Sequence, residues 1–487
     1  MASQILKYCH RIHRSLLWLA LTALMMFVLS ALTHPLMTWT GPQPVTHFPP
    51  TLSLTAGQAG KIPEILSAQA IRYATQVKIV PGPDGAVLQL GKPDHAVLSY
   101  FDLESGQPLP DHDRKQAAWL ARHYSGISDE PQSIELLTDF TAEYPSVNRL
   151  LPVYRVSFNT HSTLNIFIHT ETASVASINN RWKEANQFVF RQLHTLAFLD
   201  NLPWLRVIVI TLLLMALFTM LASGTVLLFR LRRKPWLNPR QWHRSMAFSV
   251  AVPLLMLLIS GIYHLYQNEF GAQQTTFALH PELSLDNHVL HPDPAALDAL
   301  AEQALNEASL ISYQDRLYYR ISFAAEQRHQ HHGRAHHFEG ISREQNMLLI
   351  DAVTGEGATI TDRDLAIDMA RHFRPFTDQQ LTEVQAIHRF SPDYDFRNKR
   401  LPVWQLVIDD SHRHWLYIDT RSGILVERIS NAQRMERYVF SWLHKWNFLT
   451  PLIGRENRDI VVVAVLFLLL ILACAGLSIH CSRHSKQ

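Results

Sequence analysis

His243–His264 reads HRSMAFSVAVPLLMLLISGIYH, and His13–His34 reads HRSLLWLALTALMMFVLSALTH. Both stretches open on His-Arg-Ser and close on histidine. His13, Arg14, Ser15, Leu24, Met26, Ser30 and His34 each find an identical residue at a constant offset of 230. At about 1.5 Å per residue the span from one terminal histidine to the other covers about 31 Å, close to the ~30 Å hydrocarbon core of a bilayer. At about 100° per residue the two histidines fall on nearly the same side of the helix. Each stretch therefore predicts a membrane-crossing helix with one imidazole at each face.

The 487 residues are enough for several domains, and a net charge of +2 gives no reason to expect a nucleic-acid partner. Hydrophobicity is concentrated in four uncharged stretches, Ser15 to Thr33, Val207 to Phe229, Ser245 to Tyr263 and Ile460 to Ile479. The short connection from Arg230 to Arg244 holds Arg230, Arg232, Arg233, Lys234, Arg240 and Arg244 without an acidic residue, which predicts that it is cytoplasmic. Lys7, Arg11 and Arg14 before the first span and Arg483 and Lys486 after the last agree. Both termini are then inside, and two long segments lie outside. A cleaved signal peptide is the rival reading of the first span, but the same helix recurs internally, where no signal stands. Cys9, Cys474 and Cys481 all fall near the cytoplasmic side, so the outer segments are expected to fold without disulfides.

The outer segments also repeat. Phe101-Asp102-Leu103-Glu104-Ser105-Gly106 echoes Ile350-Asp351-Ala352-Val353-Thr354-Gly355, and Ala121-Arg122-His123 echoes Ala370-Arg371-His372, both at an offset of 249. Leu151-Pro152-Val153 matches Leu401-Pro402-Val403 at 250, as FVFRQLHTLAFL (Phe188 to Leu199) matches YVFSWLHKWNFL (Tyr438 to Leu449). Helical spacing over Ile62 to Ala74 and Arg114 to His123 and short β-like runs between and after them give each half two units of helix plus antiparallel sheet in series. The expected fold class is a membrane α+β protein: four transmembrane helices in two tandem repeats, each repeat with an outer α+β domain. The expected divisions are a tail and first span (1–38), an outer domain with a pre-membrane amphipathic helix (39–203), a second span (204–230) and a basic loop (231–243). A third span (244–267), a second outer domain of the same plan with a His-rich insertion (268–457), a fourth span (458–480) and a cytoplasmic tail (481–487) complete the chain.

The offset grows from 230 at the spans to 249 at Asp351, which implies about 19 inserted residues. Gln327 to His337 is the candidate, and its His329, His331, His332, His336 and His337 are a possible surface chelator of Cu, Ni, Zn or Fe, the plain alternative being a solvated low-complexity loop.

Ionisable residues within or at the ends of spans are costly and face a partner or a cofactor. Here the repeated one is always histidine. His13 and His243 form a pair at the cytoplasmic face, His34 and His264 a pair at the outer face, and His194 and His444 a third pair on the amphipathic segments that lead into spans two and four. Paired imidazoles on facing helices are what a b-type haem needs, with nitrogens above and below the iron and an apolar slot around the porphyrin. Two haems b are expected, the inner on His13 and His243 and the outer on His34 and His264, with His194 and His444 as the alternative outer pair. Trp18, Trp39, Trp242, Tyr263, Tyr266, Trp442 and Trp446 are candidate walls of such slots, or an ordinary interfacial belt. Zinc or copper on the same histidines is a weaker reading, because the Cys and carboxylate partners usual in such sites are missing near them. No P-loop, dinucleotide fingerprint, HExxH or nucleophile elbow occurs, so any reductant must come from a partner or a quinol. Asp409-Asp410 and Asp393 to Asp395 are acidic outer-face positions that could touch a cation, the plain reading being solvated strand ends or turns.

The doubled His-Arg opening (His13-Arg14, His243-Arg244), the doubled Leu-His (Leu193-His194, Leu443-His444) and strand phrases such as LYIDTRSGILVERIS (Leu416 to Ser430) together resemble the PepSY-associated transmembrane helix family over nearly the whole chain. The resemblance implies a multi-pass protein of the bacterial inner membrane with periplasmic PepSY domains, linked to iron uptake and similar in some members to haem-containing reductases of ferric siderophores. It implies a ferric siderophore or other periplasmic metal complex as electron acceptor, a quinol or cytoplasmic donor, and membrane lipid as surroundings. A non-enzymatic PepSY protein that binds peptide, protease or metal in the periplasm is the alternative. His34, His264 and the His-rich insertion depart from the family pattern.

Overall fold

The computed structural model describes the chain apart from residues 1, 56–57, 59, 94, 161–162, 231–238, 272–281, 286–289, 291–302, 326–339, 341, 343 and 485–487. The His-rich segment, with His329, His331, His332, His336 and His337, and most of the basic loop lie outside the described residues. In chain order the main elements are helices α1 (Ala2–Ser15), α2 (Leu17–Thr40) and α3 (Lys61–Ala68), then strands β1 (Tyr73–Ala74), β2 (Gln76–Gly82), β3 (Gly85–Gly91) and β4 (Ser99–Asp102). Helix α4 (His112–Ser125) precedes β5 (Ser133–Leu137), β6 (Val153–Phe158), β7 (Leu164–His169) and β8 (Ser174–Asn180). Helices α5 (Arg181–His194), α6 (Pro203–Arg230) and α7 (Pro239–Phe270) follow. Strands β9 (Leu283–Ser284), β10 (Leu305–Tyr313), β11 (Arg316–Ala324) and β12 (Glu344–Asp351) lead to α8 (Asp362–Phe373). The chain then runs through β13 (Leu381–Ile387), β14 (Val403–Ile408), β15 (His414–Asp419) and β16 (Ile424–Ser430) to α9 (Asn431–Val439) and α10 (Arg455–His484).

Two compact units result. One holds residues 1–41, 182–273 and 432–487, the other residues 42–181 and 274–431. In the first, four helices among the described residues are long and apolar enough to cross a membrane: Leu17–Thr40, Pro203–Phe229, Gln241–Phe270 and Arg455–Cys481. Each packs on two others, α2 on α6, α6 on α7, α7 on α10 and α10 on α2, which closes a four-helix bundle. Ala20, Ala23, Ile210, Leu214, Leu217 and Leu258 fill one layer of it, and Val28, Val250, Leu466 and Leu469 another. Small residues on α2 let the neighbouring backbones approach, as packing in the absence of a water-driven force requires.

The second unit holds three larger sheets. Two have the same serial order, β5-β6-β7-β8 and β13-β14-β15-β16, each antiparallel and each covered by one helix. On α4 the residues Ala117, Leu120, Ala121 and Tyr124, at helical spacing, pack on Tyr154, Val156, Phe158, Ile166 and Ile168. On α8 Leu365, Ala366, Met369 and Ala370 do the same over Leu406, Ile408, Leu416 and Ile418, and a capping box between Thr361 and Asp364 closes the helix start.

The third sheet departs from the expectation of separate units in each half. Its order is β12-β11-β10-β2-β3-β4, so strands from the two halves of the chain join where β2 pairs with β10, Lys78 opposite Ser309. Three strands per half would leave an open edge on each, and pairing the two edges satisfies both rows of backbone groups. One face of this sheet is apolar, with Val77, Ile79, Leu88, Leu90, Leu310 and Ile321 packed on Ile62 and Ile65 of α3. Helix α3 is shorter than expected, because residues Tyr73 and Ala74 pair with β9 instead of continuing it.

The opposite face carries Lys78, Glu307, Arg320 and Glu344, all buried. Charge pairing makes that burial tolerable. Lys78 Nζ lies 2.8 Å from Ser422 Oγ and 3.7 Å from Glu307, Arg320 forks onto Glu344 at 2.7 and 3.0 Å, and Arg400 forks onto Glu171 at 2.7 and 3.1 Å. Glu171 belongs to the β7–β8 turn and Ser422 to the β15–β16 turn, so this network ties both smaller sheets to the large one.

Candidate functional site

In the bundle, His194 ends α5 and His444 occupies a π-helical turn, Phe440–His444, that follows α9. Their ring centroids are 6.2 Å apart and their planes stand at 81°. Ser30 Oγ donates to the Met26 carbonyl at 2.7 Å and also lies 3.1 Å from His194 Nδ1. A hydroxyl has one proton to give, so toward the imidazole its oxygen accepts and Nδ1 carries the hydrogen. Nε2 is left with its lone pair. The second half reproduces this geometry: Ser260 Oγ donates to Met256 O at 2.8 Å and sits 3.1 Å from His444 Nδ1. Phe190 stacks on His194 at 4.7 Å and Phe440 on His444 at 4.7 Å. Phe27 adds an edge contact to His194 at 5.7 Å.

His13 and His243 follow the same rule at the other end of the bundle. His13 Nδ1 is 3.3 Å from Ser223 Oγ, whose proton goes to Met220 O at 3.1 Å. His243 Nδ1 donates to the Leu472 carbonyl at 3.3 Å. The sequence has Ala475 where the first half has Ser223, so the backbone takes the place of the hydroxyl. Gly224 and Gly476 stand against these rings: a Cβ at either would lie 3.2 Å from Cε1 of His13 or His243.

His34 and His264 are different from these four. His264 Nδ1 meets the Glu436 carboxylate, and its Nε2 accepts from Asn268 Nδ2 at 2.9 Å, so both ring nitrogens are engaged. Phe440 stacks on it at 4.1 Å. His34 is exposed, its ring tilted 6.0 Å from Phe190. The first half has Asn186 at the position of Glu436 and Thr38 at that of Asn268. Of the expected aromatic walls, Trp18 lies against His480, Trp442 against Phe448, and Tyr266 against Phe270, while phenylalanines stack on His194, His444 and His264.

Sequence reasoning missed Ser223, Gly224, Gly476, Phe190, Phe440 and Glu436. Phe190 with Phe440 recurs at an offset of 250, and Gly224 with Gly476 at 252, so the repeat carried the signal for those. Among the described residues no group of three or more His, Cys, Asp and Glu side chains is disposed to hold a metal ion.

Four apolar helices, paired histidines between them and several antiparallel sheets define a multi-pass membrane protein of α+β construction. The chain belongs to the family of the PepSY-associated TM region, whose family model matches residues 16–340. No curated protein matches it.

Proposed function

We propose that the chain is a tandem repeat in a bacterial inner membrane that passes single electrons through two haems b to a periplasmic ferric siderophore or other metal complex. Both termini and the basic loop are then cytoplasmic and the sheet-bearing segments periplasmic, as the positive charge of the 230–244 connection favours. The matched Ser30–His194 and Ser260–His444 bonds and the two sheets of identical order support the repeat. A quinol or a cytoplasmic protein is the electron donor.

The observation that carries the haem reading is the facing of His194 and His444 at 6.2 Å, each with Nδ1 bonded to a buried serine. With metal–imidazole bonds of about 2 Å, two axial rings on one iron have centres roughly 6 Å apart. His194 and His444 are accordingly the favoured outer pair, and His13 with His243 the inner pair, whose Nδ1 atoms are also bonded away. His34 and His264 flank the outer pair, because one is exposed and the other has both nitrogens engaged. When bound, haem supplies a one-electron couple. The chain's own residues would hold the imidazole tautomer and set ring orientation through Ser30 and Ser260, with Phe190 and Phe440 stacked on the two rings and Phe27 at the edge of His194. Ferric iron in a hard-oxygen chelate loosens on reduction, so no nucleophile or general base is called for.

The test is an absorption spectrum of the purified protein and of His194→Ala and His13→Ala variants. A Soret band with sharp reduced α and β bands is expected, two haems per chain, and one haem after either substitution. Absence of a Soret band leaves the alternative, a non-enzymatic PepSY protein that binds peptide, protease or metal. Full haem content in His194→Ala would return the outer site to His34 and His264.

A further inference from the structure

We infer that His412, on the turn between β14 and β15, and His414, the first residue of β15, form a binding site for a borderline divalent transition-metal cation in the second unit. The two rings lie 6.0 Å apart at 85°. His414 Nδ1 points at the Asp410 carboxylate, 2.9 and 2.7 Å from its two oxygens. Arg374 binds Asp410 Oδ2, and the His412 backbone N–H donates to Asp410 Oδ1 at 3.1 Å. Asp410 is thereby held from three directions and fixes the His414 ring. A carboxylate on Nδ1 is the usual partner of an imidazole that ligates metal through Nε2, because it sets the tautomer and raises the basicity of the free nitrogen.

No described residue hydrogen-bonds Nε2 of His414 or either ring nitrogen of His412. His412 is exposed, so its side chain is free to rotate, and two imidazoles on one tetrahedral ion have centres about 5 Å apart, a small closure from what is seen. Arg413, between them, lies with its guanidinium 5.5 Å over the Trp415 ring. With two imidazoles and, among the described residues, no third ligating side chain, water fills the remaining positions. Such a donor set suits Zn2+, Cu2+, Ni2+ or Fe2+ and not Mg2+ or Ca2+.

The feature is no requirement of the fold. At the matching positions 250 residues earlier the sequence has Thr160, Ser162 and Leu164, and β6 and β7 still pair in the same order as β14 and β15. The inference stands apart from the haem reading, since it uses no residue of the bundle.

The experiment uses the full chain in detergent, without a polyhistidine tag. His329, His331, His332, His336 and His337 are all changed to serine, so that the His-rich segment does not contribute. Titration calorimetry with Zn2+ should give one ion per chain. Cu2+ on the same sample should show an electron paramagnetic resonance spectrum split by two imidazole nitrogens. His412→Ala should weaken Zn2+ binding at least tenfold with an unchanged melting temperature, and Asp410→Asn, which removes the anionic partner of Nδ1, about 10–100-fold. The inference is overturned if the parent takes up no Zn2+, or if His412→Ala and His414→Ala bind it as the parent does.

Discussion

His194 lies beside His444, ring centroids 6.2 Å apart and planes at 81°, although 250 residues separate them in the chain. Neither ring reaches its place alone. Each is bonded at Nδ1 by a serine two and a half turns or more inside an apolar helix and covered on one face by a phenylalanine four residues earlier. A buried hydroxyl in an apolar bundle is costly without partners, and here Ser30 and Ser260 each satisfy a helix carbonyl and an imidazole at once.

Replacing Ser30 or Ser260 by alanine removes the acceptor for Nδ1–H and frees the ring to turn. On the proposed haem reading, retention of the outer haem, measured as the rate of transfer to apomyoglobin, is expected to fall by about 10–100-fold. Equal rates in parent and both variants would show that the serines only cap their own helix carbonyls.

Gly224 and Gly476 leave room for the inner imidazoles. A Cβ placed 3.2 Å from Cε1 forces the ring or the helix to shift, so Gly224→Ala or Gly476→Ala should cost about 1–3 kcal/mol of stability and, on the proposed haem reading, broaden the α-band of the inner haem. Gly261, whose Cβ would stand 4.0 Å from the nearest side chain, is the control: Gly261→Ala should leave the spectrum unchanged.

Arg400 is buried between Glu171 and Asp419, at 2.7 Å and 3.2 Å. Arg400→Met removes the 2.7 Å cation partner of Glu171 and one of the guanidiniums beside Asp419, and is expected to destabilise the second unit by about 3–5 kcal/mol. The Arg400→Met/Glu171→Gln double variant should recover part of that loss. Calorimetry of the full chain reads both, and a double variant no more stable than the single one would show that the pair does not act as a unit.

Burial alone would push the Asp419 carboxyl up, but the Arg421, Arg400 and Lys78 charges outweigh it and hold the group well below the ordinary carboxylate range. A depressed folded value means that the unfolded chain binds the proton first. The stability Asp419 contributes is therefore complete above an unfolded pKa of about 3.9 and is lost as pH falls below it. The second unit should melt at progressively lower temperature below about pH 4, and Asp419→Asn should flatten that slope while lowering stability at neutral pH. A slope unchanged by the substitution would assign the acid sensitivity to other carboxylates.

The four apolar spans and the two matching helix-plus-sheet units, α4 with β5–β8 and α8 with β13–β16, were legible from residue order, because both rest on local periodicity or on matching at a fixed offset. The duplicated residues Ser30 and Ser260 were visible as matches, yet nothing local says that a serine faces a histidine 164 or 184 residues away. The departures from symmetry were equally hidden. Glu436 and Asn268 engage both nitrogens of His264, while His34 has Asn186 and Thr38 at the corresponding positions, and only placement in space shows that these differences fall on one ring.

Sequence by itself determined what is lipid-like, what repeats and which side chains are able to ligate, since hydrophobic length, periodicity and residue type act within a few helical turns. Tertiary structure alone decided which imidazoles face each other, which nitrogen each leaves open, and that β2 of one half completes its sheet with β10 of the other. Those outcomes depend on edges and ring faces that come within bonding distance only after helices and strands distant in the chain have packed.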